Sequence, residues 1–136
     1  METLFESEFP ATTAALAELR GIVRERALAA GCGRDAADAM VLAANEAAMN
    51  IVQHGYGFAE GQYFRLRIAR DADMLYLQLL DNAKAVALDD LRPRELDDIR
   101  PGGLGVRFMR ELMDSVDYLP PPPGFSNLLQ LGKRIE

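Results

Sequence analysis

The hydrophobic and polar residues of this chain repeat with two periods, and each period predicts one kind of element. Where apolar and polar residues alternate, a strand with one buried face is predicted. The turn Asp71-Ala72-Asp73 joins two such segments into an antiparallel hairpin. The strands predicted in this way cover residues 3–9, 63–68, 74–80, 115–119 and 126–134.

Apolar residues spaced three and four apart predict three helices. The first is capped by Thr12 or Thr13 and runs to about Ala30. The others run from Arg34 to His54 and from Leu104 to about Met113. The inward face of the first helix is predicted to consist of Leu16, Leu19, Ile22, Val23 and Leu28.

The order of the elements predicts the architecture. Gly55 ends the second helix, and a polar stretch at residues 81–103, with one helical turn near Leu91–Asp98, precedes the third. The resulting order is a strand, two helices, two strands, a helix and two strands. This order favours helices layered on one face of a mixed, largely antiparallel sheet. We therefore expect a single α+β domain that covers residues 1–136.

The second predicted helix carries a polar stripe. Glu46, Asn50 and His54 are spaced four residues apart, so they lie on one side, roughly opposite the apolar stripe. Small Ala43 and Ala47 flank the polar stripe and are expected to leave room for a bulky group. A carboxamide oxygen suits a hard cation such as Mg2+, and a carboxylate one turn away can accept a proton. Alone, such a pair is more often the solvated face of an ordinary helix.

Two further motifs follow along the chain. Leu79-Leu80-Asp81-Asn82 places an aspartate at the end of a strand, and Pro101-Gly102-Gly103-Leu104-Gly105-Val106 opens the third helix. Glycine lets the backbone approach an anion, and a helix N-terminus supplies free N–H groups, so a phosphate chain would fit there. Taken singly, a strand-end aspartate often caps a turn and a glycine cluster is often a plain loop.

In this order, the three motifs resemble the GHKL ATP-binding fold, also called the Bergerat fold. Within that fold, the chain is similar to the anti-sigma factor serine/threonine kinases of bacterial partner-switching systems. Residues 46–56 are close to the family's asparagine box, and residues 103–114 are close to its last glycine box and the helix that follows. The resemblance covers most of the chain. It implies a two-layer α/β sandwich with its helices on one face of the sheet.

The resemblance also implies a site for ATP and Mg2+ between the second helix and the sheet. By the family pattern, Asn50 holds Mg2+ and Glu46 acts as general base toward a substrate hydroxyl. Asp81 accepts a hydrogen bond from the adenine amino group. His54, the single histidine, either orients the helix end or contacts the phosphate region. The other nucleotide-binding positions that the resemblance implies are Ala83, Gly102, Gly103, Leu104, Gly105 and Val106.

The same resemblance implies protein partners. The substrate is a serine or threonine on a small anti-anti-sigma protein, which has a STAS domain, and the second partner is a sigma factor. The family forms homodimers through its first strand and helix region. Here Leu4, Phe5 and Phe9 flank the first helix, and apolar residues exposed there would need a partner. We therefore expect a homodimer.

The first glycine box departs from the family pattern. Ala83 stands where glycine is usual, and Val86 stands where an aromatic residue walls the base. If the backbone at Ala83 needs a positive φ, alanine costs about 1 kcal/mol or more. ATP binding would then weaken severalfold to about tenfold. If the backbone at Ala83 has an ordinary conformation, we expect little change in nucleotide affinity.

Two other functions remain open. The first is a nucleotide-binding adaptor for partner switching without kinase activity, which Ala83 and Val86 favour and which Glu46 and Asn50 oppose. The second is the catalytic half of a two-component histidine kinase. That function needs a phosphoacceptor histidine on a preceding helix, and the first 30 residues contain no histidine.

Composition and charge limit the classes of function and the cellular compartment that we expect for this chain. The chain has 136 residues, of which 49% are hydrophobic and 26% charged, as in a globular protein with one core. A net charge of −6 argues against general nucleic-acid binding, and the apolar runs are too short for a membrane span. A single cysteine, Cys32, excludes an internal disulfide, and one cysteine with one histidine argues against a zinc site. Without a basic signal-peptide region at its start, the chain is expected in the cytoplasm.

Overall fold

Leucines at every second position form the centre of the sheet. Leu75, Leu77 and Leu79 are fully buried, whereas the residues between them are only partly buried, as expected for strands covered on one face. The structure, a computed structural model, describes residues 1–84 and 103–135, apart from the side chains of 103–105. The strands are β1 (Glu2–Pro10), β2 (Tyr63–Asp71), β3 (Met74–Asp81), β4 (Ser115–Leu119) and β5 (Asn127–Arg134), and the helices are α1 (Leu16–Ala29), α2 (Arg34–Asn50) and α3 (Gly103–Leu112).

The five strands form one sheet in the order β1-β2-β3-β5-β4, and all four of these pairings are antiparallel. Helix α2 packs against α1, against α3 and on the sheet, and the core lies between the two layers. Polar side chains occupy the opposite face of the sheet, where Arg67 donates a 2.8 Å hydrogen bond to Gln78. The predicted α+β class, with helices on one face of the sheet, is confirmed.

The first helix begins as predicted but turns a different residue inward. Thr12 Oγ1 accepts a 3.3 Å hydrogen bond from the backbone N–H of Ala15, so the predicted threonine cap is confirmed. The prediction that Leu28 faces inward is wrong, because the residue is 49% exposed. Leu28 follows the buried Val23 by five residues, which places it about 140° around the helix. The fully buried Ala27 takes that place in the core.

The first strand covers its aromatic residues within the chain. Phe9 is only 3% exposed and stacks on Phe64 with the ring centroids 5.7 Å apart. Phe5 is partly buried, and the guanidinium of Arg26 lies 5.2 Å from the centre of its ring. The expectation that exposed apolar residues here would need a partner is therefore wrong for Phe9. The homodimer itself stays a prediction.

Three sequence predictions lie outside the described residues: the helical turn near Leu91–Asp98, the backbone at Val86 and the position of Gly102. Across residues 1–84 and 103–135, no helix combines the length and the apolar character that a membrane span requires.

Candidate functional site

Asp81 lies at the end of β3 and points toward the helix layer. It continues the inward phase of Leu77 and Leu79, so its side chain is placed on the covered face of the sheet. Only 6% of the residue is exposed. In the register of the sheet, Asp81 pairs with Phe64 on β2 and with Asn127 on β5, and both neighbours are also buried.

Two donors hold one oxygen of this carboxylate. The backbone N–H of Ala83 and the side-chain amide of Asn127 both donate to Asp81 Oδ1, each at 2.9 Å. Within the described part of the chain, Asp81 Oδ2 accepts no hydrogen bond. Burial raises the pKa of the Asp81 carboxyl, and the two hydrogen bonds oppose that rise. The site therefore presents a buried acceptor with one oxygen available to a ligand.

Two tyrosines border Asp81. Burial and the nearby charge of Asp81 raise the pKa of Tyr118 to about 12, so its hydroxyl stays protonated at neutral pH. The hydroxyl of Tyr56 donates to the carbonyl of Tyr63 at 2.9 Å and accepts from the backbone N–H of Asn82 at 2.8 Å. Through these two bonds, Tyr56 fixes the segment after α2 to the residue that follows Asp81.

Helix α2 presents the predicted polar pair at the edge of its buried face. Glu46 and Asn50 are half-buried, and their spacing of four residues puts them one turn apart. Ala43 and Ala47 do not leave open space beside this pair, because both are buried in the hydrophobic core. That expectation is wrong, since α2 packs against its neighbours along this side.

The predicted helix from Arg34 continues past Asn50 as a π-helical turn at Ile51–Gly55. Such turns insert an extra residue into the helical ladder and occur often at functional sites. His54 lies in this turn and is exposed. Its proposed role at the helix end or near the phosphates therefore stays a prediction.

The π-helical turn brings Gly55 against Ala83. A Cβ atom placed on Gly55 would lie 3.0 Å from the Cβ of Ala83, which is closer than side chains normally pack. Ala83 is buried and does not have a positive φ, because within residues 1–84 and 103–135 only Phe58 and Ala72 among the non-glycine residues do. The condition under which alanine would weaken nucleotide binding is therefore not met. Because Gly55 has no side chain, there is space beside it for the methyl group of Ala83.

The glycine motif opens α3 as predicted. The helix begins at Gly103, so Gly103, Leu104 and Gly105 lie in its first turn. Val106 is buried in the core and anchors this turn. Helix α3 packs along α2, the helix that carries the polar pair. The free N–H groups of the first turn of α3 can bind an anion such as a phosphate.

Sequence reasoning missed Asn127 and the hydroxyl of Tyr56. A signal for Asn127 was present, because it lies in phase with Leu129 and Leu131, which are both buried. A polar residue in an inward position of a strand requires a partner, and the partner here is Asp81. No comparable local signal marks Tyr56, since its two partners are at residues 63 and 82.

Comparisons with known proteins bear on the fold and the family. A family model described as a histidine kinase-like ATPase domain matches residues 9–124. Among solved structures, the chain is similar to the RsbU and RsbW domains of Rv1364c from Mycobacterium tuberculosis, with a TM-score of 0.68 and 16% sequence identity. The match covers 96% of this chain and 31% of that one, so this chain spans about a third of its length. A search of curated proteins finds no match.

The contact between Gly55 and Ala83 predicts a compensating pair of substitutions. Gly55→Ala should destabilise the protein by about 1–3 kcal/mol, because the new methyl group overpacks against Ala83. Ala83→Gly alone should cost about 1 kcal/mol through lost burial and added chain entropy. The double variant should recover most of the loss, and denaturant unfolding of all three variants measures the coupling.

Gly21→Ala on α1 is the matched control, because a Cβ atom there meets no atom within 4 Å. It should be neutral or slightly stabilising. Strictly additive effects of Gly55→Ala and Ala83→Gly would contradict the close contact.

The raised pKa of Asp81 predicts a pH-dependent stability of the ligand-free protein. The native state binds the Asp81 proton more tightly than the unfolded chain does, so Asp81 costs stability as pH rises above the ordinary carboxyl pKa. Asp81→Asn keeps the oxygen that accepts from Ala83 and Asn127 but removes the charge. It should therefore raise the melting temperature at neutral pH, and the gain should shrink toward about pH 3–4, where the aspartate is protonated. Asp117→Asn, at an exposed position of β4, should show no such gain.

Proposed function

The chain belongs to the family of histidine kinase-like ATPase domains, and we propose that it is an ATP-dependent serine/threonine protein kinase and anti-sigma factor. Its substrate is a serine or threonine on a STAS-domain anti-anti-sigma protein, and its second partner is a sigma factor. It works as a homodimer in the cytoplasm of a bacterial cell. The observation that carries the proposal is the half-buried pair of Glu46 and Asn50 on α2, in a family ATPase that also buries Asp81 at a strand end.

The residues around Asp81 fit an adenine ring. An adenine presents an exocyclic amino group, which is a hydrogen-bond donor, and Asp81 Oδ2 is an acceptor that no described residue engages. A largely buried carboxylate with one oxygen that no described residue engages gains from a ligand donor. Guanine carries a carbonyl at the same place, and that acceptor would face the charged oxygen. The geometry therefore favours adenine over guanine nucleotides.

The residues on α2 fit Mg2+ held jointly with phosphates. Across the described residues, no group of three or more His, Cys, Asp and Glu side chains forms a metal cage. Mg2+ in nucleotide sites keeps several waters and takes one or two protein oxygens besides the phosphates. The carboxamide oxygen of Asn50 supplies such a ligand, and the bound ion would neutralise phosphate charge. Gly103, Leu104, Gly105 and Val106, in the first turn of α3, would contact the phosphates through the backbone, and Gly102 would precede them.

Glu46 is the residue to which we assign general-base catalysis. A serine hydroxyl has a very high pKa, so its proton needs an acceptor only as the oxygen attacks. Glu46 lies one turn before Asn50 and on the same side of α2, so it faces the region assigned to the metal. Its carboxylate would take the hydroxyl proton while the terminal phosphoryl group of ATP moves to the substrate oxygen and ADP leaves.

The geometry at Ala83 supports retained nucleotide binding. Because Ala83 has no positive φ and packs against Gly55, the residue that departs from the family pattern causes no backbone strain. One of the two reasons to favour a non-catalytic adaptor is therefore removed. The other reason, Val86, lies outside the described residues.

The nucleotide site is tested first by thermal unfolding. ATP with Mg2+ should raise the melting temperature, because a ligand that binds only the native state stabilises it by about 2.7 kcal/mol at a hundred times its Kd. GTP should stabilise the protein less than ATP does, and Asp81→Asn should remove this difference. An unchanged melting temperature at millimolar ATP and Mg2+ would show that the proposed nucleotide site is wrong.

The kinase assignment is tested by contrasting two residues of α2. Glu46→Gln keeps size and hydrogen bonding but removes the base, so phosphotransfer should fall by about 10²–10⁴ while ATP affinity stays within a few-fold. Asn50→Ala should instead weaken Mg2+-dependent ATP binding itself. Transfer is measured with radiolabelled ATP and the anti-anti-sigma proteins encoded in the same genome, and nucleotide affinity is measured by calorimetry.

Asn45→Ala is the matched control for Asn50→Ala. Asn45 is a half-buried asparagine on the same helix, but it accepts a 2.8 Å hydrogen bond from Arg20 on α1. This substitution should leave both ATP binding and transfer unchanged. If the wild type transfers no phosphate and Glu46→Gln leaves partner binding intact, the protein is an adaptor. If Glu46→Gln loses ATP binding as strongly as Asn50→Ala does, the role assigned to Glu46 is wrong.

A further inference from the structure

We propose that Asn127, at the start of β5, is a positioning residue that determines nucleotide specificity by holding one oxygen of Asp81 and directing the other to the ligand. This inference rests on the proposed nucleotide site and names a residue that the family pattern did not supply. It stands on the placement of two buried polar side chains directly opposite each other in adjacent strands.

The chemistry of its partners fixes the orientation of the Asn127 amide. Asn127 Nδ2 donates to Asp81 Oδ1 at 2.9 Å and to the backbone carbonyl of Lys84 at 3.1 Å. Both partners are acceptors only, so the nitrogen of the amide, and not its oxygen, must face them. Asn127 is 7% exposed and pairs with Asp81 in the register of β3 and β5.

The bonds from Asn127 to Asp81 and Lys84 connect the carboxylate to the loop that follows it. With the backbone N–H of Ala83 also on Oδ1, that oxygen has two donors and the carboxylate cannot rotate without losing both. The bond to the Lys84 carbonyl ties the loop to the same amide. Asn127 thus keeps Oδ2 in one place and leaves it as the oxygen that can meet an exocyclic amino group.

Asn127 also favours the charged form of Asp81. Burial raises the pKa of Asp81, and hydrogen bonding from Asn127 opposes this rise. A charged carboxylate only accepts, so it selects a 6-amino purine. A protonated carboxyl group has an O–H donor as well, and it can then bind the carbonyl of a 6-oxo purine. Loss of Asn127 should therefore relax discrimination between ATP and GTP, most strongly at low pH.

The test compares Asn127→Leu with Gln130→Leu by calorimetry with ATP and GTP at about pH 6 and pH 8. Asn127→Leu should weaken ATP binding about tenfold, as expected for a lost hydrogen bond to a charged group. Its preference for ATP over GTP should be smaller at the lower pH. Gln130 is the matched control, because it lies on the same strand and accepts a 2.7 Å amide hydrogen bond from Gln78, away from Asp81. Gln130→Leu should bind both nucleotides as the wild type does.

A measurement without nucleotide separates this inference from the proposed function. The carboxyl carbon of Asp81, followed by NMR in the ligand-free protein, should titrate at higher pH in Asn127→Leu than in the wild type. If it does so while the wild type binds no nucleotide, Asn127 positions Asp81 and the proposed function fails. If the wild type binds ATP but Asn127→Leu leaves both the titration and the ATP preference unchanged, the inference is overturned.

A second variant keeps the test decisive if Asn127→Leu does not fold. Asn127→Asp has the same shape but replaces the donor with a second carboxyl group beside Asp81. Two carboxyl groups at this distance cannot both ionise easily, so the Asp81 titration should move to still higher pH. An unmoved titration in a folded Asn127→Asp protein would also overturn the inference.

Discussion

A carboxylate buried at the end of a strand needs donors, and the arrangement of this site follows from that requirement. Asp81 obtains its donors from Ala83, two residues along the chain, and from Asn127 on the neighbouring strand. The second donor exists only in one register of β3 with β5, because a slip of one residue would turn Asp81 to the opposite face. The buried leucines of β3 and β5 fix that register. The packing of the core therefore determines which donor on β5 lies beside Asp81.

The other half of the site depends on how α2 ends. A helix that stopped at Asn50 would lack the contacts that the following residues make with Asn82 and Ala83. The π-helical turn at Ile51–Gly55 carries the chain onward until Gly55 lies against Ala83 and the hydroxyl of Tyr56 reaches the N–H of Asn82. Gly55 allows close approach because it has no side chain, and Tyr56 contributes a hydroxyl group. These two residues therefore connect the end of α2 with the residues that follow β3. Together with the packing of α2 on the sheet, these contacts place Glu46 and Asn50 relative to Asp81.

The sequence predicted the elements well because their signals are local. Across residues 1–84 and 103–135, periods of 2 and 3.6 residues located the five strands and three helices to within a few residues. Leu28 was assigned inward because it is apolar, although its angle around α1 places it outside the buried stripe. The role of Asn127 depends on a pairing between residues 46 positions apart, which no local pattern contains. The backbone at Ala83 depends on contacts with Gly55, so its departure from the family glycine could be interpreted only in three dimensions.

Stability and ligand recognition are linked at Asp81. The ligand-free fold keeps a charged group in a place where burial disfavours charge, and the donors on Ala83 and Asn127 offset that effect. A ligand that brings a third donor relieves part of the cost, so some of its binding free energy comes from the protein's own unfavourable ligand-free state. A ligand with an acceptor at that position gains nothing of the kind and meets the charged oxygen. Discrimination between the two ligands therefore grows with the burial of Asp81, up to the point at which the carboxyl group takes up a proton. The donors on Oδ1 lower that point, so in the proposed site a neutral amide on β5 affects which base a carboxylate on β3 would select.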